Sequence, residues 1–304
     1  MESYMIYLVD GVIAMQNINP LEWIWEPLIP RNCVSILASR GGVGKSGFAL
    51  WLANLLAGEG KRILYVDAER CGCHIKQRTE DWTLDNLSKI IFTVENLEDG
   101  SSQTAAPSTL VELHQIVKDC LPDLVILDSL TVFARSLDTN RRDHMAQYLE
   151  ELTKICIECN SGILLLAHTK KKQQGEDTLT LDSVAGSGAI TDLARSVMLM
   201  DFASDADGRI ITQLKFNLTA KSKPLMFKIT NTGIHDVKFQ DAREGNTGTK
   251  ADRFRLLATK CLSEGMSKKD ARQILKEDGA SPAEYGRALD WASSQLHIEW
   301  MGEL

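Results

Sequence analysis

Short aliphatic runs recur along the first two thirds of the chain, at 33–38, 63–66, 90–94, 124–127 and 163–167, each followed by a longer amphipathic stretch. Runs of this length, bounded by polar segments, predict buried strands, and their alternation with helical patterns predicts a parallel sheet covered by helices. One helix is expected over 45–57, stopping at Gly58. Another is expected over 143–159, with Met145, Leu149, Leu152, Ile155 and Cys156 on one face. After Ser187 the rhythm changes. The segments 197–200, 210–216 and 225–229 read as successive antiparallel strands, with turns at Asp207-Gly208 and Lys223-Pro224. The expected fold class is therefore α/β, with a mixed but mostly parallel sheet.

A polar linker at 241–250, carrying Gly245, Asn246 and Gly248, precedes a change to helical composition. Phe254, Leu257 and Cys261 share a face. Ser267-Lys268-Lys269-Asp270 and Ser281-Pro282-Ala283-Glu284 each begin a helix with a capping box, the second with proline at the first helical position. Three helices and a short strand at 298–301 predict a small helix-turn-helix or winged-helix module. Its basic excess is mild, which leaves packing, oligomerisation and DNA binding open. The expected division is a lead-in segment at 1–30, a core at 31–240, the linker, and a helical module at 251–304.

The 304 residues, 44% apolar and 25% charged, suffice for one large domain with a small appendage. A formal charge of -7 argues against wholesale coating of nucleic acid but leaves room for local basic loops. The apolar stretch at 5–15 contains Asp10 and Gly11, follows Glu2 and is too short to span a bilayer, so neither secretion nor membrane insertion is expected. Seven cysteines, an odd number, are expected as reduced thiols in a cytoplasmic protein.

The segment Ala38-Ser39-Arg40-Gly41-Gly42-Val43-Gly44-Lys45-Ser46-Gly47 joins an expected strand to an expected helix. Backbone N–H groups of such a glycine-rich turn can wrap nucleotide phosphates, Lys45 can reach the β- and γ-phosphates of ATP, and the Ser46 hydroxyl can hold Mg²⁺. The usual pattern expects glycine at position 39; serine stands there, small enough to permit the bend. Asp128 closes an apolar strand and is the second candidate metal-site residue. Glu69, in Tyr65-Val66-Asp67-Ala68-Glu69-Arg70, is the candidate base that orients an attacking water; by itself it would read as a solvated loop acid. His168, after the fifth aliphatic run, is placed to sense a γ-phosphate, although a lone histidine at a strand end is often satisfied by its neighbours.

The order of these motifs, continued by Ala185-Gly186-Ser187-Gly188-Ala189 and Arg195, resembles RecA-fold ATPases and, within them, the plasmid replicative helicase RepA and related bacterial and phage ATPases. Pro20-Leu21-Glu22-Trp23 through Ile29-Pro30-Arg31 is similar to the lead-in of that group. The resemblance covers roughly 18–235. It implies a hexameric ring of identical subunits, ATP and Mg²⁺ held between them, single-stranded DNA in the centre, and replication proteins as further partners. By that resemblance Lys45 and Ser46 bind phosphate and Mg²⁺, Asp128 is the strand-end acid, Glu69 the base and His168 the sensor. Arg195 becomes the arginine finger given to a neighbouring subunit. Helicases of the DnaB type instead carry Lys-x-Arg on a later strand. Here that stretch reads Lys215-Phe216-Asn217, so Lys215 can assist in trans and Asn217 cannot be the finger.

Lys170, Lys171 and Lys172, with the loop at 135–142, are candidate pore-lining cations, because a ring repeats each lysine several times over. Charge runs are also common as solvated surface. Two other readings stay open: a RecA-like recombinase or mediator, and a nucleotide-switched module that binds DNA or protein through its C-terminal helices. Cys71-Gly72-Cys73-His74 looks like a metal knuckle but has no second cysteine pair at zinc spacing. Trp23 and Trp25 are expected to cap an edge of the core.

Overall fold

The computed structural model describes residues 10–96, 101–134, 137–170, 180–203, 208–230, 233–239, 250–263 and 265–295. In chain order these begin with helix α1 (Gly11–Asn17) and a hairpin of β1 (Trp23–Trp25) and β2 (Ile29–Pro30). Next come β3 (Val34–Ser39), α2 (Lys45–Gly58), β4 (Ile63–Asp67), α3 (Gly72–Thr79), α4 (Leu84–Ser88) and β5 (Ile90–Phe92). A second hairpin, β6 (Val94–Asn96) and β7 (Ser102–Thr104), leads to α5 (Leu110–Cys120), β8 (Leu124–Asp128), α6 (Leu130–Phe133), α7 (Arg142–Glu158) and β9 (Gly162–His168). Helix α8 (Ala189–Leu193) is followed by β10 (Ser196–Phe202), β11 (Gly208–Phe216), β12 (Leu225–Thr230) and β13 (Gly233–Phe239). Three helices end the described chain: α9 (Lys250–Ser263), α10 (Lys268–Glu277) and α11 (Pro282–Gln295).

The main sheet has the order β13-β12-β11-β10-β3-β9-β8-β4-β5. Strands β10, β3, β9, β8, β4 and β5 run parallel; β11 is antiparallel to β10, and β12 to β11. The aliphatic runs make the parallel part because both faces of those strands are covered. On β3, Leu37 packs into one apolar cluster while Val34, Ile36 and Ala38 pack into the other; β4, β8 and β9 alternate in the same way. Phe48, Leu52 and Leu56 of α2 fill the first cluster, and Met145, Leu149, Leu152 and Ile155 of α7 fill the second. Helices on both faces leave the C-terminal ends of the parallel strands as the place where loops can meet a ligand.

Three details differ from expectation. The fifth-strand run stops at Phe92, and Val94 instead opens the β6–β7 hairpin, where Val94 is exposed and has no apolar layer to enter. The lead-in is built into the core: Ile24, Leu28 and Ile29 are buried in the first cluster, and Trp25 lies edge-on to Trp51. Trp23 stacks on Phe216 at 5.4 Å, so both tryptophans cap apolar surface. Strand β13 was not foreseen, because only Ile234 and Val237 of its side chains pack against the core.

The described residues fall into two compact units that part near residue 237. In the second, Phe254, Ala258, Cys261, Leu262, Ala271, Leu275, Ala288, Leu289 and Ala292 form a separate core among α9, α10 and α11. The Ser267 hydroxyl caps α10 by accepting from the Asp270 N–H at 3.2 Å, and the Ser281 N–H donates to Glu284 at 2.8 Å at the start of α11. The expected strand at 298–301 and nearly all of the linker lie outside the described residues.

Candidate nucleotide-binding site

Residues 40–44 connect β3 to α2 and hold two glycines in the left-handed region, Gly42 at φ +79° and Gly44 at φ +112°. A side chain at Gly44 would meet more than its own backbone: an added Cβ would lie 2.5 Å from Ile229 Cδ1. The turn is braced from the antiparallel side of the sheet. Arg40 pairs with Asp201 of β10 at 2.8 Å, and Arg209 Nε of β11 donates to the Val43 carbonyl at 2.8 Å. Ser39 is buried, and its hydroxyl donates to the Arg40 carbonyl, so the expected glycine is replaced without opening the bend.

Strands β4 and β8 end side by side, with Asp67 and Asp128 as register partners. Asp128 is buried and accepts hydrogen bonds from the Tyr65 hydroxyl at 2.9 Å and from the Ser46 side chain. Burial pushes its carboxyl up; the Ser46 and Tyr65 hydrogen bonds oppose that, while the charges of Glu69 and Asp67 add to it. Asp67 has a shaping role. Its carboxylate accepts from the Glu69 N–H at 3.1 Å, the Cys71 N–H at 2.6 Å and the Thr104 hydroxyl at 2.7 Å, fixing the turn that carries Glu69.

Glu69 Oε1 accepts from the Ser129 hydroxyl at 2.8 Å and lies 4.0 Å from His168 Nε2. The other nitrogen of that ring, Nδ1, is 3.5 Å from Lys45 Nζ. Burial pushes His168 down, and the neighbouring Lys45 charge adds to this while Glu69 opposes it. The neutral ring can therefore accept from the lysine. Burial also pushes Lys45 down, against the attraction of Asp128 and Glu69. The structure thus joins phosphate-loop lysine, histidine, glutamate and serine in one chain of contacts. Tyr65, Asp67, Thr104 and Ser129 were not singled out in the sequence. Only Asp67, two residues before Glu69 at a strand end, carried a readable signal.

The hard oxygens of Ser46 and Asp128 suit Mg²⁺, which keeps several waters and takes phosphate ligands beside one or two carboxylates. Among the described residues no three His, Cys, Asp or Glu side chains converge as a metal cage. Cys71 and Cys73 sit at the start of α3, and the Cys71 N–H is held by Asp67.

Other predicted residues lie elsewhere. The Arg195 N–H donates to the Val34 carbonyl at the opening of β3, whereas Lys45 follows the end of that strand. Six residues of strand rise put roughly 20 Å between those ends. The Arg195 side chain is exposed and borders a groove of about 480 Å³ with Lys154, Ile157 and Leu193. Lys215 Nζ donates to the carbonyls of Thr191 at 2.8 Å and Asp192 at 2.6 Å, closing the end of α8 within its own chain. Lys170 follows β9, exposed, with its N–H on the Ser183 carbonyl. Lys171, Lys172 and Arg135 lie outside the described residues.

A family model described as an AAA domain matches residues 7–174, more than half of the chain. The chain belongs to this AAA domain family. Within that match lie the phosphate loop, Glu69, Asp128 and His168; Arg195, Lys215 and the C-terminal helices lie beyond it. Among curated relatives, the DNA repair protein RadA of Aquifex aeolicus is 23% identical over 207 residues, covering 67% of this chain and 41% of that one. RadA of Campylobacter jejuni is 23% identical over 223 residues, covering 72% and 45%. The chain therefore spans less than half the length of these relatives. Among solved structures, a helicase ATPase domain superposes with a TM-score of 0.54 at 13% identity, covering 66% of this chain and 83% of that one. A RadB recombinase structure gives 0.49 at 19% identity, over 69% and 93%. The AAA-domain chain is a P-loop ATPase of the RecA fold, a family that generally uses ATP and Mg²⁺. Among the described residues no helix is long and apolar enough to cross a membrane.

Proposed function

We propose that the chain hydrolyses ATP with Mg²⁺ and works as a ring-forming motor on single-stranded DNA, nearest in kind to the plasmid replicative helicase RepA. The observation that carries the reading is Glu69 held between Ser129 and His168, with His168 in turn against Lys45. In this reading Gly41, Gly42, Val43, Gly44 and Gly47 shape the cradle, Lys45 binds phosphate, and Ser46 and Asp128 hold the metal. Bound Mg²⁺ neutralises charge on the phosphates. Glu69 orients the attacking water and accepts its proton, and His168 relays the state of the γ-phosphate from Lys45 to Glu69. Arg195 is too far along the sheet to serve its own pocket. It completes a neighbour's, and the groove beside it, with exposed Ile157, suits an intersubunit contact. Lys170 and the two lysines after it face the strand, residues 31–240 are the ATPase core, and the protein works in the cytoplasm with replication proteins.

The test couples turnover to assembly. Glu69→Gln should keep ATP binding and lose hydrolysis by about 10²–10⁴-fold. Lys45→Ala should lose both, and Arg195→Ala subunits should regain turnover when mixed with Lys45→Ala subunits. A protein that stays monomeric at saturating ATP and single-stranded DNA, or a Lys45→Ala variant that still turns over, overturns the proposal. The RadA relatives, named as DNA repair proteins, favour a second reading as a recombinase or mediator. Particle imaging separates the two: open filaments belong to the second reading, closed rings to the first.

A further inference from the structure

In the C-terminal unit, helices α10 and α11 are joined by the four residues 278–281, with Gly279 at φ +89°. A turn of that length containing glycine is the link of a helix-turn-helix. On α10 the side chains of Lys269, Arg272, Gln273 and Lys276 are all exposed, while Ala271 and Leu275 enter the core. Spacings of three and four residues place the exposed set in one stripe opposite the core, about 10 Å long at 1.5 Å per residue. Arg287, exposed on α11, adds a fourth cation.

The acids of the unit do not neutralise this stripe. Asp270 accepts from the Ser267 hydroxyl at 2.7 Å, Glu277 from Gln273 at 2.7 Å and Glu284 from the Ser281 N–H at 2.8 Å, while Asp290 lies 3.7 Å from Lys268. Among the described residues, Lys269, Arg272, Lys276 and Arg287 make no ion pair or side-chain hydrogen bond. Capping thus ties down acids at the helix starts and leaves cations free on the outer face.

We propose that this unit binds duplex DNA, with α10 laid across the phosphate backbone through Lys269, Arg272 and Lys276, and the start of α11 with Arg287 entering the major groove. In a helix-turn-helix the first helix of the pair crosses the backbone and the second reads the groove, which matches where the cations stand. Pro282 and Ala283, small and exposed in the first turn of α11, allow close approach. A protein partner fits less well, because the α10 face has no apolar centre. A single strand also fits less well, because no aromatic ring is exposed on α10 for bases to stack on. The assignment is independent of the ATP site.

The experiment uses the full chain, a short B-form duplex and a single strand of equal length, with affinity followed across a salt series. Each phosphate contact contributes about 0.9 to the slope of log affinity against log salt on duplex and about 0.7 on single strands. K269Q/R272Q/K276Q should lower the duplex slope by about 2.7 and weaken duplex binding at least about tenfold at physiological salt. Single-strand affinity, its slope and ATP turnover should stay as in the wild type, and Lys45→Ala should keep the wild-type duplex slope. Glutamine retains helix propensity at these exposed positions, and circular dichroism confirms the fold. Unchanged duplex slope in the triple variant overturns the proposal. So does an equal fall on single strands, or a wild type that captures an acidic protein without holding duplex.

Discussion

The guanidinium of Arg209 donates to the main-chain carbonyl of Val43 across 166 positions of sequence, at 2.8 Å. An antiparallel strand that touches no candidate catalytic group therefore fixes the phosphate turn. Arg209→Met keeps the stem and removes the donor. Nucleotide affinity should fall about tenfold or more, as expected for losing a charged hydrogen bond of about 1.5–3 kcal/mol. Calorimetric titration with a slowly hydrolysed ATP analogue measures this; wild-type affinity would mean the turn holds its shape unaided.

Gly44→Ala tests the turn from inside. An alanine at φ +112° is strained by about 1–3 kcal/mol, and its methyl would also press on Ile229. Nucleotide binding should be lost while the far-ultraviolet dichroism is kept. Full binding by this variant would contradict the backbone path.

Tyr65→Phe removes one of the donors that favour the ionised form of Asp128. With that donor gone, burial lifts the carboxyl further, so protonation reaches it at higher pH. The acid limb of the turnover profile should move upward, and at neutral pH the variant should lose about 0.5–1.5 kcal/mol of stability. A profile superimposable on the wild type would show that Asp128 does not need its neighbour.

His168 gives a stability signature of opposite origin. Its folded value lies below the ordinary 6.5, so the unfolded chain binds the proton first. The contribution is whole above pH 6.5 and is lost as pH falls through the folded value. Wild type should therefore weaken in acid more than His168→Gln, as read from urea midpoints along a pH series. Parallel curves would place the ring in open solvent instead.

Much of this site was legible because its chemistry is local in sequence. A strand, a glycine turn and Lys45-Ser46 must be contiguous to wrap a phosphate, and Asp128, Glu69 and His168 each close an aliphatic run whose pairing follows from the parallel sheet. The bracing contacts were not legible: Arg209 to Val43 and Tyr65 to Asp128 depend on which strands become neighbours. Asp67 was passed over because a strand-end acid reads as a metal ligand or as nothing, whereas here it ties the backbone of the turn beside it. The β6–β7 hairpin and β13 carry too few apolar positions to announce themselves. The lead-in, read as a separate segment, turned out to supply Ile24 and Ile29 to the same core as the phosphate helix.

Strand β3 begins beside Arg195 and ends at the cradle, which gives the protomer two unlike poles. A guanidinium at one pole can reach a pocket at the other only if copies stack head to tail. Mirror-like pairing of two identical faces would leave both pockets unserved, so any working assembly built on this contact has an intrinsic direction.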